Sequence, residues 1–170
     1  MHNPAFTFTH VILRLPSRSV VDGLRAADIG TPDLAQMQVD HQHYSDVLRE
    51  TGAKIIELPP LEAYPDSVFV EDTALCLPQG AILMRSDAPT RAGEVAQMAP
   101  VLRGLYDQVV EISGPGCIEG GDILTTGREI LVGLSERTNR AGVSELAQLA
   151  ERWGHPLRWI EIPQGVLHFK

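Results

Sequence analysis

Apolar, acidic and turn-forming residues recur along the chain in a pattern that repeats about every 50 residues. Three short runs have the same order: KIIELPP at 54–60, QVVEISG at 108–114 and RWIEIPQ at 158–164. Each run predicts a short strand that ends in a turn. Their glutamates, Glu57, Glu111 and Glu161, lie 54 and then 50 residues apart, so the runs predict equivalent strands of a repeated unit.

Each of the first two runs is followed by a pair of apolar stretches that predicts a hairpin. Residues 67–77 are joined to residues 81–85 by a Pro-Gln-Gly turn, and residues 117–125 are joined to residues 129–133 around a glycine. A helix is predicted after each hairpin. The repeated unit is therefore a strand, a hairpin and a helix, and such a unit buries its apolar faces only against neighbours.

Three helices are predicted from apolar positions spaced three and four residues apart. Thr31 and Pro32 are typical of a helix start, with a capping hydroxyl and a proline in the first turn, and Gly52 and Gly154 are typical of helix ends. The apolar stripes are Leu34, Met37, His41, Tyr44 and Leu48; Val95, Met98, Leu102 and Leu105; and Val143, Leu146, Ala147, Ala150 and Trp153.

The pattern predicts an α/β fold of about three units, roughly residues 8–60, 61–112 and 113–163. The last strand opens a further unit, and the sequence stops at Lys170 where its hairpin would begin. We therefore expect residues 1–170 to be one N-terminal portion of a longer domain. The alternative is that the last strand closes the fold at its C-terminus.

Composition narrows the classes of function. The 14 basic and 22 acidic residues give a net charge of −8, which argues against binding to a phosphate backbone and suits a cationic small molecule. No apolar run approaches the roughly 20 residues that span a bilayer, and the first residues do not have the pattern of a secretory signal. Two cysteines do not make a disulfide framework, so we expect a reducing, cytoplasmic setting.

Candidate chemistry begins with three acids after the first strand run, Asp66, Glu71 and Asp72, which interrupt an apolar stretch. Carboxylates in such a stretch are costly unless they are paired, so they could form a pocket for a cation. The alternative is a turn acid followed by a pair of acids that face water. The next unit has Glu119 in a glycine-rich segment, where it could orient a histidine or bind a cation, or only cap backbone amides.

The third polar cluster lies after the last of these units and places His168 in an apolar run, 49 residues after Glu119. A lone histidine there is more often a core residue than a catalyst, but Phe69, Glu119 and His168 hold nearly the same place in successive repeats, and a ring of repeats would bring them together. Arg91 and Arg137 open the loops into two helices and could hold a carboxylate in a bidentate manner, or simply face solvent. We predict no metal site and no phosphate or dinucleotide motif.

Taken together, these motifs resemble the dimethylarginine dimethylaminohydrolase family of the guanidino-group-modifying superfamily. The resemblance runs from about residue 10 to residue 170. It rests on these segments: Asp22–Leu24, Pro65–Asp72, Arg91–Glu94, Ile118–Asp122, Ser135–Asn139 and Val166–Lys170. It implies a pentein-like propeller of five strand–strand–helix–strand units around a central pocket, of which this chain would supply a little over three. It also implies hydrolysis of Nω-methylated arginine to citrulline and a methylamine, with no cofactor.

The resemblance implies roles for individual residues at the reacting end of the substrate. His168 would be the general acid and base, and Glu119 would orient it and contact the guanidinium. Asp72 would hold a guanidinium nitrogen, and Phe69 would line the pocket. Two carboxylates fix a guanidinium carbon, which is a poor electrophile, against an attacking thiolate.

At the other end of the substrate, Asp66 and the Leu24 carbonyl would receive the α-amino group, with Glu71 nearby. Arg91 and Arg137 would bind the α-carboxylate. The family's nucleophilic cysteine lies further along the sequence than the position of Lys170. Because Cys117 is not at that position, we predict that it is a buried filler, and that the chain alone is inactive.

Two further functions stay open at this point, an arginine deiminase and a non-catalytic module that binds arginine-like ligands or a partner. A plain α/β scaffold, whose polar clusters are only turns, is a third alternative. Loss of guanidino binding on substitution of Glu119 would separate a site from a scaffold. An unclosed arc of units would expose sheet edges, so we also expect self-association of this chain.

Overall fold

The structure is a computed structural model, and it describes residues 7–25 and 27–170. The described chain divides into two compact units, one of residues 8–70 and one that contains residues 71–170. Among the described residues, no helix is both long enough and apolar enough to cross a membrane.

The unit of residues 8–70 is a pair of parallel strands with a helix between them in sequence. Strand β1 (His10–Arg14) pairs in parallel with β2 (Lys54–Leu58), and helix α1 (Leu34–Glu50) connects them. Asp33 caps α1 by accepting a hydrogen bond from the Gln36 amide. The prediction that Thr31 caps the helix is therefore wrong, because the carboxylate next to the first turn takes that role. Gly52 follows the helix with a φ of 85°, as an end signal requires.

The unit that contains residues 71–170 repeats one motif twice. Its strands are β3 (Ala74–Leu77), β4 (Gly80–Leu83), β5 (Val109–Glu111), β6 (Ile123–Thr125), β7 (Ile130–Leu134) and β8 (Leu157–Glu161). In each half an antiparallel hairpin is followed by a helix and then by a strand that pairs in parallel with the second hairpin strand. The helices are α2 (Glu94–Arg103) and α3 (Arg140–Arg152). This order confirms the predicted strand–strand–helix–strand repeat.

The first hairpin strands are shorter than the sequence pattern predicts. Val70–Thr73 and Gly120–Asp122 are 3-10 turns, and the strands begin only after them. In both places acids or glycines replace the apolar alternation, so the backbone turns before it enters the sheet. His168 likewise lies outside any strand. These turns matter because Asp72, Glu119 and Asp122 all lie in or beside them.

The core of this unit is formed by the inner faces of the two sheets and by α3. Ile82, Ile118, Ile130, Val132 and Leu146 are almost fully buried within one cluster. Packing of this kind stabilises the positions of the turns at the strand starts, because the strands that follow them cannot shift without opening the core. The fold thereby fixes the segments that bear the polar residues.

Glu145 of α3 ties the loop before Glu119 to the helix. Its carboxylate accepts hydrogen bonds from the amides of Ser113, at 2.8 Å, and Gly114, at 3.0 Å. Both bonds lower the pKa of Glu145, and the bond from the Ser113 amide has the largest effect. A carboxyl whose pKa is lowered by folding stabilises the protein above its unfolded pKa, and that stabilisation is lost as the pH falls through the folded value.

We therefore expect Glu145→Gln to lower the melting temperature by a few degrees at pH 7. The difference from the unsubstituted chain is expected to shrink as the pH falls from the unfolded pKa of about 4.3 through the lower folded pKa, below which the carboxyl is protonated in both states. Thermal unfolding followed by circular dichroism at several pH values measures it. Glu151→Gln, at an exposed position of the same helix, is the matched control. A Glu145→Gln deficit that is the same at pH 3 and pH 7 would contradict this explanation.

Candidate functional site

Three titratable side chains of the unit that contains residues 71–170 come together. Asp72, Glu119 and His168 each offer one ligand atom, and these atoms lie within 4.8 Å of one another. Asp72 comes from the turn before β3, Glu119 precedes the turn before β6, and His168 comes from the segment after β8. Two carboxylates beside an imidazole form a site for a cation, either an organic cation or a metal ion.

Glu119 is held at one oxygen and open at the other. Its Oε1 accepts a short hydrogen bond from the Ser86 hydroxyl and lies 3.6 Å from Nη1 of Arg137. Its Oε2 is buried, has no hydrogen-bond partner among residues 7–25 and 27–170, and lies 3.8 Å from Nε2 of His168. A buried oxygen without a partner is costly, so Oε2 is the atom that a donor from a ligand would satisfy.

Asp72 is fixed by groups on both sides. Its Oδ1 accepts a hydrogen bond from the Gly121 amide at 2.9 Å, and its Oδ2 lies 2.6 Å from Nη1 of Arg91. Gly121 lies two residues after Glu119, so this bond ties the segment that bears Asp72 to the segment that bears Glu119. A side chain at Gly120 would also collide with the backbone of Glu71, because its Cβ would lie 2.0 Å from the Glu71 carbonyl oxygen. Only glycine permits this close approach of the two turns.

Arg91 is a buried ion-pair partner of two acids. Besides Asp72 it binds Glu94, with Nη2 at 2.8 Å from Oε2. Burial alone would lower the pKa of Arg91, but the hydrogen bonds and charges of Glu94 and Asp72 raise it well above its ordinary value. Arg91 is thus permanently charged, and its ion pair fixes the orientation of the Asp72 carboxylate.

Glu71 and Arg137 lie at the edge of this cluster. The exposed carboxylate of Glu71 is 2.7 Å from the ammonium of Lys170. Arg137 is partly exposed beside Glu119, so its guanidinium is positioned to meet a carboxylate that enters from solvent.

Three of the predicted site residues lie in the unit of residues 8–70. Asp66 is buried, and both of its oxygens accept from the Leu24 amide, at 3.1 and 3.2 Å. This contact holds the Leu24 amide beside the Asp66 carboxylate, and the role of the two residues in binding an amino group stays a prediction. Phe69 is more than half exposed, and its amide donates to the Asp66 carbonyl.

Cys117 does not have the properties of a nucleophile. It is buried, and its thiol donates to Oδ1 of Asp87 at 3.4 Å. Burial, followed by the hydrogen bond and charge of Asp87, raises the pKa of Cys117, which disfavours the reactive thiolate. These observations agree with its prediction as a buried filler.

Most residues of this site, though not His168, fall within a region that known proteins share. The profile of the arginine deiminase family matches residues 59–155, which is more than half of the chain and includes Asp72, Arg91, Glu119 and Arg137. The chain belongs to the arginine deiminase family.

Individual members of this family match nearly the whole chain. The N(G),N(G)-dimethylarginine dimethylaminohydrolase of Pseudomonas aeruginosa is 38% identical over 164 residues, which are 96% of this chain and 64% of the relative. The enzyme of the same name from Streptomyces coelicolor is 32% identical over 167 residues, 94% of this chain and 62% of the relative. The chain therefore spans less than two thirds of the length of these relatives.

A solved structure of this family confirms the fold. It is a mutant of the Pseudomonas aeruginosa enzyme complexed with citrulline, and it superposes with a TM-score of 0.93 over 96% of this chain and 64% of that chain. The α/β fold with its partial propeller and the resemblance to dimethylarginine dimethylaminohydrolases are thus confirmed. The role of each site residue stays a prediction, as does the absence of a metal site.

The sequence pattern does not predict two residues of this site, Ser86 and Asp122. Ser86 binds Glu119, and Asp122 faces His168 at 3.5 Å from Nδ1. Asp122 belongs to the Ile118–Asp122 segment, but its partners Ser135 and Thr138 lie 13 and 16 residues later, and only the fold brings them together. Nothing in the local pattern around Ser86 distinguishes it from any other serine in a turn.

Proposed function

We propose that this chain is the N-terminal part of a hydrolase that converts Nω-methylated arginine to citrulline and a methylamine. The observation that carries the proposal is the meeting of Asp72, Glu119 and His168 in a chain 38% identical to a dimethylarginine dimethylaminohydrolase. Two fixed carboxylates can pair with a guanidinium, and the imidazole beside them is a group that can give a proton to a departing amine. The related structure that is complexed with citrulline supports a small guanidino ligand.

In this proposal the two acids hold the guanidinium by its N–H groups. Oε2 of Glu119 receives one N–H bond, which satisfies its buried lone pairs, and Asp72 receives another. Because Ser86 and Arg91 hold these acids in place before substrate arrives, the acids lose little conformational freedom when substrate binds. Charge-assisted bonds of this kind are roughly twice as strong as neutral ones.

The amino-acid end of the substrate is assigned to the remaining predicted residues. Asp66 and the Leu24 carbonyl receive the α-amino group, with Glu71 nearby, and Arg137 binds the α-carboxylate. Arg91, which the sequence resemblance predicts to bind the α-carboxylate as well, is buried and pairs with Asp72 and Glu94, so its part in this proposal is to hold Asp72. The contact of Asp66 with the Leu24 amide supports the first part, since it holds Leu24 beside the acid. The partly exposed guanidinium of Arg137 supports the second.

The reaction proceeds in two steps through a covalent intermediate. A thiolate attacks the guanidinium carbon, the carbon–nitrogen bond to the methylated nitrogen breaks, and His168 gives its proton to the departing amine. A water molecule then attacks the same carbon and gives a proton to His168. The carbon–sulfur bond breaks, and the proton left on the new hydroxyl passes to solvent, which releases citrulline and restores the thiolate. We assign this thiol to a cysteine outside the 170 residues, and the raised pKa of Cys117 supports that assignment.

The experiment is a citrulline assay on the protein made from the complete reading frame that contains this chain. We expect citrulline and dimethylamine from Nω,Nω-dimethylarginine, and no loss of activity on prolonged dialysis against a chelator. Release of ammonia from unmethylated arginine at a higher kcat/KM would contradict the proposed substrate class. Failure to turn over either substrate would contradict the proposed function. Self-association and a cytoplasmic location stay predictions.

A further inference from the structure

Asp122 is a fully buried acid that the proposed reaction does not use. Its Oδ2 accepts hydrogen bonds from the hydroxyls of Ser135 and Thr138, both at 2.6 Å, and its Oδ1 accepts one from the Phe169 amide at 3.0 Å. A buried carboxylate is costly, and three donors aimed at one group offset that cost. The donors also fix both carboxylate oxygens in space.

The fixed carboxylate faces the imidazole of His168. Nδ1 of His168 is buried, has no hydrogen-bond partner among the described residues, and lies 3.5 Å from Oδ2 of Asp122. An Nδ1–H would face Oδ2, which already accepts from the Ser135 and Thr138 hydroxyls, so the ring is attracted by the nearby negative charge rather than by a free lone pair. The Phe169 bond anchors the residue directly after His168, so Asp122 holds the segment by its backbone as well as its ring.

Gly121 forms the surface on which the ring lies. A Cβ at this position would lie 2.8 Å from Cγ and Cδ2 of His168, so only glycine lets the imidazole approach this closely. The ring is thus bounded by the Gly121 backbone, by Asp122 at Nδ1 and by Glu119 at Nε2, 3.8 Å from Oε2.

We propose that Asp122 is a positioning residue that keeps the proton of neutral His168 on Nδ1, so that Nε2 is left to exchange protons at the Glu119 side. A carboxylate accepts hydrogen bonds but does not donate them, so Asp122 favours the Nδ1–H form and Glu119, 3.8 Å from Nε2, favours the Nε2–H form. Asp122 lies closer, at 3.5 Å from Nδ1, so its preference prevails. Without such a partner, neutral histidine favours the Nε2–H form. The position of the proton does not depend on the proposed function. Only its consequence does, which is that Nε2 acts as the base in the acid and base step.

A purely structural role for Asp122 would give a different result. If the carboxylate only held the Ser135 hydroxyl and the Phe169 amide, the protonated ring nitrogen would not depend on its charge. Asparagine at this position keeps the shape and one oxygen, but it adds an amide that can donate to an unprotonated Nδ1. In a catalytic triad the same exchange of aspartate for asparagine leaves the geometry intact and selects the wrong histidine tautomer.

The test is long-range proton–nitrogen NMR of the imidazole rings in the ¹⁵N-labelled 170-residue chain, without ligand, at a pH where His168 is neutral. His168→Gln identifies the signals by removing them. We expect the unsubstituted chain to have Nδ1 protonated as the major form, and Asp122→Asn to lower the ratio of Nδ1–H to Nε2–H at least tenfold. Asp46→Asn, at an exposed acid of α1, is the control and is expected to leave the ratio unchanged.

Two results would overturn the proposal. One is a major Nε2–H form in the unsubstituted chain, which decides the matter even if Asp122→Asn does not fold. The other is an unchanged tautomer ratio in a folded Asp122→Asn variant. Because the measurement needs no substrate, its outcome is separate from that of the citrulline assay. A tautomer shift without hydrolysis would contradict the proposed function and leave the positioning role standing.

Discussion

Replacing Glu119 with glutamine is expected to reduce citrulline release by roughly 10³-fold, while the melting temperature changes by no more than a few degrees. The glutamine oxygen would take the place of Oε1, because Ser86 and Arg137 both present donors there. The amide nitrogen would then take the place of Oε2 and point two N–H groups toward His168 and the substrate. The position would change from an acceptor that attracts a guanidinium to a donor that repels it.

The effect is measured as kcat and KM for Nω,Nω-dimethylarginine with the protein from the complete reading frame. Glu129→Gln is the matched control, because it makes the same chemical change in the hairpin turn before β7, where the acid pairs with the exposed Arg158. We expect this control to keep its activity within about twofold, as surface ion pairs contribute little. Retention of more than a tenth of the activity by Glu119→Gln would refute the role of Glu119.

The second large effect concerns stability. Gly142→Ala is expected to lower the free energy of unfolding by about 3 kcal/mol, which corresponds to a fall of roughly 10 °C in melting temperature for a chain of this size. The Cβ of alanine would lie 2.3 Å from the Cys117 carbonyl oxygen and 2.7 Å from its carbon. These are backbone atoms, so the strain cannot be relieved by turning a side chain.

This contact also places the segment that bears Glu119. Gly116 approaches Gly142 reciprocally, and the Asn139 side chain accepts from the amides of both Cys117 and Gly142. Displacement of the helix start would therefore move Glu119, two residues beyond Cys117. We expect the folded fraction of Gly142→Ala to lose substrate affinity as well.

Gly104→Ala is the control for this prediction. Gly104 ends α2 with a φ of −79°, and its nearest obstacle to a Cβ is 3.3 Å away, so we expect a change of less than about 1 kcal/mol. Chemical denaturation with a fitted slope measures both variants. Equal stability losses in Gly142→Ala and Gly104→Ala would show that the close approach of α3 to the Cys117 backbone does not constrain the fold.

The repeat was predictable from sequence because each unit has the same physical requirement. A hairpin and a helix bury one face each, so apolar periods of two and of three to four residues recur in a fixed order. Gly154 ends α3 with a φ of 79°, as its position in the pattern predicts. The coming together of Glu119 and His168 also follows, because equivalent places in successive repeats lie near one another.

What the sequence did not reveal depends on contacts between distant segments. The backbones of the turns at Val70–Thr73 and Gly120–Asp122 approach each other closely, and this contact determines where the turns form. The spacing of apolar residues along the sequence does not predict such a contact. The bonds of Ser86 to Glu119 and of Thr138 to Asp122 join residues 33 and 16 apart, with no local signature. A buried acid with several donors differs from a turn acid only in three dimensions.

The central claim is that this chain supplies the acid–base pair and the guanidinium-binding acids of a thiol-dependent hydrolase, while its nucleophile lies outside the 170 residues. The most direct test is the sequence of the gene beyond the codon for Lys170. The claim predicts that the frame continues over the roughly one third of the relatives' length that the match leaves uncovered, and that it includes a cysteine. A stop codon directly after Lys170 would contradict it.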